Sequence, residues 1–283
     1  MTVRRLAAVD AQFLWMSARI PNDQFLLYAF AGVPARLDAV LADLAQRASG
    51  CEDLRLRVVD DNRWRYPRWV RGPVDAQQFS LHGERDWDGC LADVAALADQ
   101  QLDPGVASWR LHVFGPVHGA PGTSSAVTVA VVHATHSLAD GTRMAELAGW
   151  LFGRPVPVLP IPAPECGSLV LRSVAAARTH RAMVRDLDAG RLTPPYDPQP
   201  LLPTNARPAG RRRVRTLLRQ RRELPLGSTV TVAVLVAVAA ALDGYLRDRG
   251  TEPPRLSAEV LLAKPGIRLA QNHFRTIGIR LHP

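Results

Sequence analysis

An apolar run is followed by an amphipathic one in the segment Val131-Val132-His133-Ala134-Thr135-His136-Ser137-Leu138-Ala139-Asp140-Gly141, and this change of pattern is the main basis for the fold prediction. The valine-rich residues 126–132 at its start are typical of a strand buried on both faces. Asp140 is a good N-cap for a following helix, in which Met144, Leu147 and Leu151 recur at helical spacing. We therefore predict a buried strand, a short turn that bears histidines, and a capped helix.

The two histidines of this turn allow a functional and a structural interpretation. Loops between a strand end and a helix start often carry reactive groups, and an imidazole with a pKa of about 6.5 suits a general base at neutral pH. The alternative is a capped helix with two incidental histidines. A metal site of His133, His136 and Asp140 is disfavoured, because residues three apart in a strand point to opposite faces. We expect no metal ion.

Apolar periodicity indicates alternating strands and helices along the rest of the chain. The predicted strands cover residues 25–30, 109–114, 126–132, 255–262 and 276–281, with a hairpin over 55–69. The predicted helices cover residues 37–48, 89–102, 140–151, 168–187 and 229–247, and a loop is expected over 115–123. Such a mixture without a regular βαβ period predicts an α+β layered fold.

Prolines suggest the domain organisation. Eleven of the 23 prolines fall between Pro155 and Pro208, where they exclude the interior of helices and central strands. We therefore predict a first domain over residues 1–154, a proline-rich connection with one helix over 155–213, and a second domain over 214–283.

Composition and charge narrow the class of protein. With 47% hydrophobic and 22% charged residues in a chain of 283, the protein can bury a core and does not have a disordered composition. The net charge is +9, but eight arginines within residues 207–222 carry most of it, and the rest of the chain has a net charge of +1. No nucleic-acid partner is therefore expected. We interpret the arginine cluster as a solvated face, with an anionic membrane surface as the second interpretation.

The number and spacing of the cysteines, and the absence of certain motifs, exclude further classes of protein. Cys51, Cys90 and Cys166 are odd in number and far apart, so neither a disulfide framework nor a zinc site is predicted, and a cytoplasmic location fits. The first residues lack the apolar stretch of a secretory signal. The uncharged residues 224–242 are predicted to form a buried helix that is too short to cross a bilayer. Neither a phosphate-binding glycine loop nor a serine nucleophile elbow is present, so no cofactor is expected.

Residues 136–141 resemble the His-His-x-x-x-Asp-Gly motif of the bacterial wax ester synthase / diacylglycerol acyltransferase family. That family belongs to a superfamily with chloramphenicol acetyltransferase and the condensation domains of peptide synthetases. Other segments resemble the same family in order along the chain, namely residues 6–16, 54–58 with 69–70, 102–103 with Trp109, 227–242, and Asn272. The resemblance implies a chloramphenicol acetyltransferase-like two-layer sandwich, with one complete N-terminal domain and the start of a second.

The resemblance also implies an activity and roles for residues. His136 would be the general base that accepts a proton from an alcohol, which then attacks the thioester of an acyl-CoA co-substrate. Asp140 would hold the turn, and Gly141 would allow close approach of backbone and substrate. The acceptor would be a long-chain alcohol or diacylglycerol. Supporting positions in the motif would be Thr135 and His133, and the implied substrate-binding residues are Trp109 and Asn272.

Several positions depart from the family pattern. Thr135 stands where the family has its first histidine, residues 107–108 replace a Pro-Leu pair, residues 231–232 replace an Asn-Asp pair, and residues 259–264 lack an expected arginine. The matches cover the first domain and the opening elements of the second. The alternative expectation is therefore a non-catalytic remnant or split-gene subunit that binds acyl-CoA or lipid, or that needs a partner chain. A peripheral membrane or lipid surface is a further expected partner.

Overall fold

The computed structural model describes residues 4–163, 167–192, 202–206, 210–224, 229–251 and 256–281. Cys166, Arg207 and the start of the predicted family match at residue 227 lie outside the described residues. The helices are α1 (Ala8–Ser17), α2 (Leu37–Gly50), α3 (Trp87–Leu97), α4 (Gly141–Leu151), α5 (Leu169–Asp188) and α6 (Val230–Asp248). The strands are β1 (Gln24–Ala31), β2 (Leu56–Val59), β3 (Arg68–Arg71), β4 (Phe79–His82), β5 (Arg85–Asp86), β6 (Trp109–His118), β7 (Val127–Ala134), β8 (Leu256–Ala263) and β9 (Phe274–Leu281).

The chain forms two compact units. The first comprises Met1–Arg181, Arg212–Arg215 and Pro265–His273, and the second comprises Ala182–Arg211, Thr216–Lys264 and Phe274–Pro283. The segment Pro265–His273 thus belongs to the first unit although it lies far along the chain. The domain boundaries predicted from the prolines, after residues 154 and 213, stay predictions.

The main sheet of the first unit has the strand order β1-β7-β6-β4, with β5 also paired to β6. Strand β7 is antiparallel to both β1 and β6, and all eight of its residues are buried. Alternate residues point to opposite faces, so Ala130 and Val132 join one apolar cluster while Val129 and Val131 join another. The prediction of a strand buried on both faces is confirmed.

Helices cover both faces of this sheet. Leu41 of α2 and Leu147 of α4 pack in the cluster of Ala130 and Val132, and Val94 of α3 packs in the cluster of Val129. The predicted hairpin is also confirmed, because β2 and β3 pair antiparallel. These layers of helix on a mixed sheet agree with the predicted α+β fold.

Some predicted boundaries were wrong. Strand β6 continues through the expected loop to His118, since a register shift between Phe114 and Val117 lets it pass Gly115-Pro116 and pair again with Val127. Helix α3 begins earlier than predicted, where Asp86 accepts a hydrogen bond from the backbone N–H of Gly89, and it ends at Leu97 rather than residue 102. The short elements α1, β4 and β5 were not predicted, because their sequences show no clear apolar periodicity.

In the second unit, the prediction of a buried helix was wrong. Only Ala233, Ala239 and Leu246 of α6 are buried, because the strands described in this unit are limited to the hairpin β8–β9. The helix extends to Asp248, so by length and composition it is also long and apolar enough to cross a membrane, contrary to the predicted limit. A core helix of a soluble protein meets the same criterion.

Candidate active site around His136

The turn between β7 and α4 places His136 at the end of the most buried strand. Asp140 caps α4 as predicted, because its Oδ1 accepts a hydrogen bond of 2.8 Å from the backbone N–H of Arg143. The local sequence therefore fixes both ends of the turn: a strand buried on both sides enters it, and a capped helix leaves it.

Arg268 binds both carboxylate oxygens of Asp140. Its Nη1 donates to Oδ2 at 2.8 Å and its Nη2 donates to Oδ1 at 3.2 Å. The backbone N–H of His273 also donates to Oδ2, at 2.7 Å. Burial alone would raise the pKa of Asp140, but the bonds from Arg268, Arg143 and His273 outweigh it and lower the pKa below the ordinary value. Asp140 is therefore ionised at neutral pH and serves as a fixed anchor.

Arg268 was not among the site residues predicted from the sequence, where residues 259–264 lacked an expected arginine. It lies on the segment Pro265–His273, which packs with the first unit. The sequence did not point to Arg268, because the family pattern places its arginine in the strand that corresponds to residues 259–264. The only signal in the sequence was an arginine a few residues before Asn272.

Asn272 holds the backbone of the turn itself. Its Nδ2 donates to the carbonyl oxygen of His136 at 2.8 Å and to Oδ1 of Asp10 at 3.0 Å. Asp10 also accepts from the backbone N–H groups of Gln271 at 3.0 Å and Asn272 at 2.8 Å. The predicted residue Asn272 therefore lies beside the turn, while its contact with substrate stays a prediction.

The ring of His136 lies flat against Phe13, with ring centroids 3.8 Å apart and planes 5° apart. Burial lowers the pKa of His136, although Asn272 and the nearby carboxylates of Asp140 and Asp23 act in the opposite direction. The imidazole is therefore uncharged at neutral pH. An uncharged imidazole in a fixed turn can accept a proton from a hydroxyl group.

Asp53 and Arg143 form a charged layer beneath this turn. Nη2 of Arg143 donates to Oδ2 of Asp53 at 2.6 Å, and both side chains are buried. The same Oδ2 accepts from Nε2 of Gln271 at 3.0 Å. Three buried carboxylates, those of Asp10, Asp53 and Asp140, thus bind one segment, Pro265–His273. Periodicity gave no signal for this layer, since its members lie far apart in the sequence.

The remaining predicted motif residues lie on either side of His136. Thr135 is buried, and its Oγ1 shares a hydrogen bond of 3.2 Å with Oγ of Ser137. His133 points to the other face of the sheet, where its Nε2 lies 2.8 Å from Oδ2 of Asp23. Gly141 begins α4, and a Cβ placed there would meet nothing within 4 Å. No group of three potential metal ligands occurs among the residues that the structure describes.

Trp109 is a core residue at the start of β6. Its side chain is 0% exposed, its Nε1 donates to the carbonyl oxygen of Leu54 at 2.7 Å, and its ring meets Phe79 edge-on. It lies opposite Ala134, two residues before His136. The structure places Trp109 as a support for the strand end, and its predicted contact with substrate stays a prediction.

Three histidines that are scattered in the sequence lie near one another on the sheet. Nε2 of His82 is 3.3 Å from Nδ1 of His112, and the rings of His112 and His133 have centroids 5.8 Å apart. Burial, with help from the neighbouring His133 and His82, lowers the pKa of His112 to about 3. The parallel pairing of β4 with β6 and the antiparallel pairing of β6 with β7 bring them together, and sequence spacing cannot show such pairings.

An apolar cavity of about 420 Å³ lies away from His136, toward the opposite end of β7. Its lining includes Phe30, Leu37, Leu41, Thr128 and Phe152. None of these side chains can act as a base, so the cavity is not a candidate for the chemistry.

Comparison with known proteins identifies the fold. No protein-family model and no curated protein sequence match this chain. The structure resembles a wax ester synthase/diacylglycerol acyltransferase from Marinobacter aquaeolei VT8, with 22% identity and a TM-score of 0.56 over 91% of this chain and 63% of that one. It also resembles the first condensation domain of the calcium-dependent antibiotic synthetase in complex with a substrate analogue, with 16% identity and a TM-score of 0.55 over 100% and 71%.

A third similar structure is the starter condensation domain of rhizomide synthetase, a mutant in complex with C8-CoA, with 15% identity and a TM-score of 0.52 over 100% and 67%. This chain spans 60% to 71% of the length of the solved structures that it resembles. At these identities the likeness establishes the fold alone. The predicted chloramphenicol acetyltransferase-like α+β fold is therefore confirmed.

Proposed function

We propose that this chain carries the proton-accepting site of an acyl-CoA-dependent O-acyltransferase of the wax ester synthase / diacylglycerol acyltransferase type. The observation that carries the proposal is the imidazole of His136, which is stacked on Phe13 in a turn held by Asp140, Arg268 and Asn272. Burial lowers the pKa of this imidazole, which favours its uncharged form. The fold supports it, because the similar structures include an acyltransferase of this type.

In the proposed reaction, His136 accepts the proton of an alcohol while the alcohol oxygen attacks the thioester carbonyl of acyl-CoA. The new C–O bond forms, the C–S bond breaks, and the departing CoA thiolate takes the proton back from the imidazolium. Transfer is direct and needs no acyl-enzyme, so its rate depends on holding both substrates beside one base. Asp140 and Arg268 act on the turn and take no proton.

The side chain of Asn272 supports a substrate contact. Its Nδ2 donates to the carbonyl oxygen of His136 and to Asp10, and its buried Oδ1 makes no hydrogen bond of good geometry among the described residues, although the Asn272 side chain is close enough to the ring of His136 to raise its pKa. A buried acceptor without a partner is destabilising unless a bound group satisfies it. The hydroxyl group of an acceptor alcohol would do so.

The test measures ester formation by the purified protein with palmitoyl-CoA and either hexadecanol or dioleoylglycerol. Mass spectrometry follows the ester and a thiol reagent follows CoA release. We expect ester with one of the acceptors, and a loss of at least about a hundredfold in His136→Ala. His180→Ala, which removes an exposed histidine on α5, is the matched control. Undiminished ester formation by His136→Ala would rule out this residue as the base.

A binding measurement separates the proposed enzyme from the alternative of a non-catalytic subunit. Titration with a thioether analogue of palmitoyl-CoA reports binding without turnover. Binding with no ester formed from either acceptor would favour the subunit and contradict acyl transfer by this chain. A lipid surface and a partner chain also stay predictions, and addition of phospholipid vesicles to the ester assay tests the first of them.

A further inference from the structure

Helix α1 contacts the His136 turn through two residues that lie one helical turn apart. Asp10 and Phe13 are spaced i, i+3, so their side chains share one face of the helix. Asp10 is buried and Phe13 is partly buried. The sequence analysis identified this region only as a match to the opening segment of a family, and the proposed reaction assigns it no role.

Phe13 controls the ring of His136. A centroid distance of 3.8 Å and an angle of 5° between the planes make this a face-to-face contact along the whole imidazole. An imidazole rotates easily about its last side-chain bond, so a flat neighbour at van der Waals distance restricts that rotation. The phenyl ring also keeps water from one face of the imidazole.

Asp10 acts on the backbone of the same residue. Its Oδ1 accepts from both the backbone N–H and the Nδ2 of Asn272, at 2.8 Å and 3.0 Å. That Nδ2 also donates to the carbonyl oxygen of His136 at 2.8 Å. The carboxylate therefore fixes the orientation of the Asn272 amide, because its oxygen can accept only from the NH2 end. One helix thus constrains both the ring and the backbone of residue 136.

We propose that Phe13 and Asp10 are positioning residues for His136: Phe13 sets the plane and hydration of the imidazole, and Asp10 sets the backbone through Asn272. The proposal rests on the proposed function of His136 as the base. Phe13 packs on the face of the imidazole and offers no group that could exchange a proton, and Asp10 reaches His136 only through Asn272. Both act before the reaction by limiting the orientations that the base can adopt.

The test of Phe13 follows the titration of His136 by NMR, with labelled histidine and His136→Gln for assignment. Phe13→Ala opens one face of the imidazole to water, so we expect the pKa of His136 to rise toward its ordinary value of about 6.5. Phe13→Tyr, which keeps the flat ring, should titrate like the wild type. Trp15→Ala, which removes a larger aromatic side chain from the same helix, should not change the curve.

If Phe13→Ala does not fold, Phe13→Val replaces it, since valine keeps an apolar group at this position but leaves part of the imidazole face open to water. An unchanged titration of His136 in folded Phe13→Ala, or in folded Phe13→Val where the alanine variant does not fold, would overturn this half of the proposal. The measurement needs no turnover. It therefore decides the positioning role even if the protein transfers no acyl group, and that second result would refute only the proposed function.

The test of Asp10 uses the ester assay and a double-mutant cycle. We expect Asp10→Asn to lower kcat about tenfold or more with KM for palmitoyl-CoA within about twofold, because the base is displaced and the thioester site is not. The same change made in Asn272→Ala should have a smaller further effect on kcat, because the side-chain amide is then absent and Asp10 binds only the backbone N–H groups of Gln271 and Asn272. Independent, additive losses, or a change confined to KM, would overturn the role of Asp10.

Discussion

The pentapeptide Val-Thr-Val-Ala-Val occurs twice in this chain, as residues 127–131 in β7 and as residues 230–234 in α6. In the first unit it is a strand between β1 and β6, and every residue of it is buried. In the second unit it is the start of a helix capped by Thr229, and four of its five residues are exposed. Identical residues therefore adopt different backbones and different environments.

The backbones of β7 and α6 are stabilised by different hydrogen-bond partners. The backbone of β7 is satisfied by two neighbouring strands, with Val129 opposite Ala29 on one side and Phe114 on the other. The backbone of α6 is satisfied within the helix, beginning with Oγ1 of Thr229, which accepts from the N–H of Val232. Strand β7 thus depends on tertiary partners, and α6 depends on local hydrogen bonds. The predictions below use matched changes in the two regions.

A charge at the third position of the pentapeptide should separate the regions most strongly. Val129 is 0% exposed and Val232 is 50% exposed. Val129→Asp buries an unpaired carboxylate and should lower the free energy of unfolding by more than about 4 kcal/mol, whereas Val232→Asp should cost less than about 1 kcal/mol. Urea unfolding followed by circular dichroism measures both. Equal losses would show that α6 is as enclosed as β7.

Loss of an ion pair should have the next largest effect. Arg268→Ala removes the partner of a buried carboxylate, but Asp140 keeps its bonds from Arg143 and His273, so we expect a loss of about 2–3 kcal/mol. On α6, Arg247→Ala removes a local pair with Asp243, and the expected loss is below about 0.5 kcal/mol. The same unfolding experiment compares them, and a larger loss from Arg247→Ala would reverse the argument.

The buried pair should also be sensitive to acid. Burial raises the pKa of Asp140, but its bonds outweigh burial and the folded pKa is below the ordinary value. The unfolded chain therefore takes up this proton at higher pH than the folded chain, so the stabilisation is complete above about pH 4 and is lost as the pH falls through the folded pKa. The difference in stability between wild type and Asp140→Asn should shrink between pH 7 and pH 3. A difference that grows with acid would contradict it.

The smallest contrast is expected from the removal of two methyl groups at the same matched positions. Val129→Ala leaves a cavity in the packed core and should cost about 1–2 kcal/mol. Val232→Ala replaces an exposed β-branched residue in a helix by the best helix former, so we expect no loss or a gain of about 0.5 kcal/mol. Thermal unfolding followed by calorimetry measures whether each substitution lowers or raises the stability. A loss at both positions would indicate that another surface covers α6.

The region around His136 was largely predictable from local sequence. The valines before it indicated a buried strand, and Asp140 indicated the start of α4, because a cap and an apolar period are properties of neighbouring residues. The histidines alone left the functional and structural interpretations open. Resemblance to a family favoured the functional one, and the uncharged ring of His136 is compatible with it.

The contacts that hold the site were not predictable in this way. Arg268 and Asn272 are more than 120 residues away from the turn that they bind, and Phe13 is as far away on the other side. The same limit explains the wrong expectation for α6. An apolar sequence indicates that burial of its side chains is favourable. It does not indicate whether another helix or strand packs against them.

Local sequence was sufficient to predict the strand that enters the turn, the cap that begins α4, the hairpin β2–β3 and the helical state of residues 230–248. The caps, turns and apolar spacing that indicate these elements lie within short stretches of sequence, although the hydrogen bonds of the strands come from their neighbouring strands. Local sequence gave no indication that Phe13 covers the imidazole of His136 or that three buried carboxylates bind one distant segment. Such contacts form because packing brings remote groups within hydrogen-bonding distance, where a buried charge must find a partner.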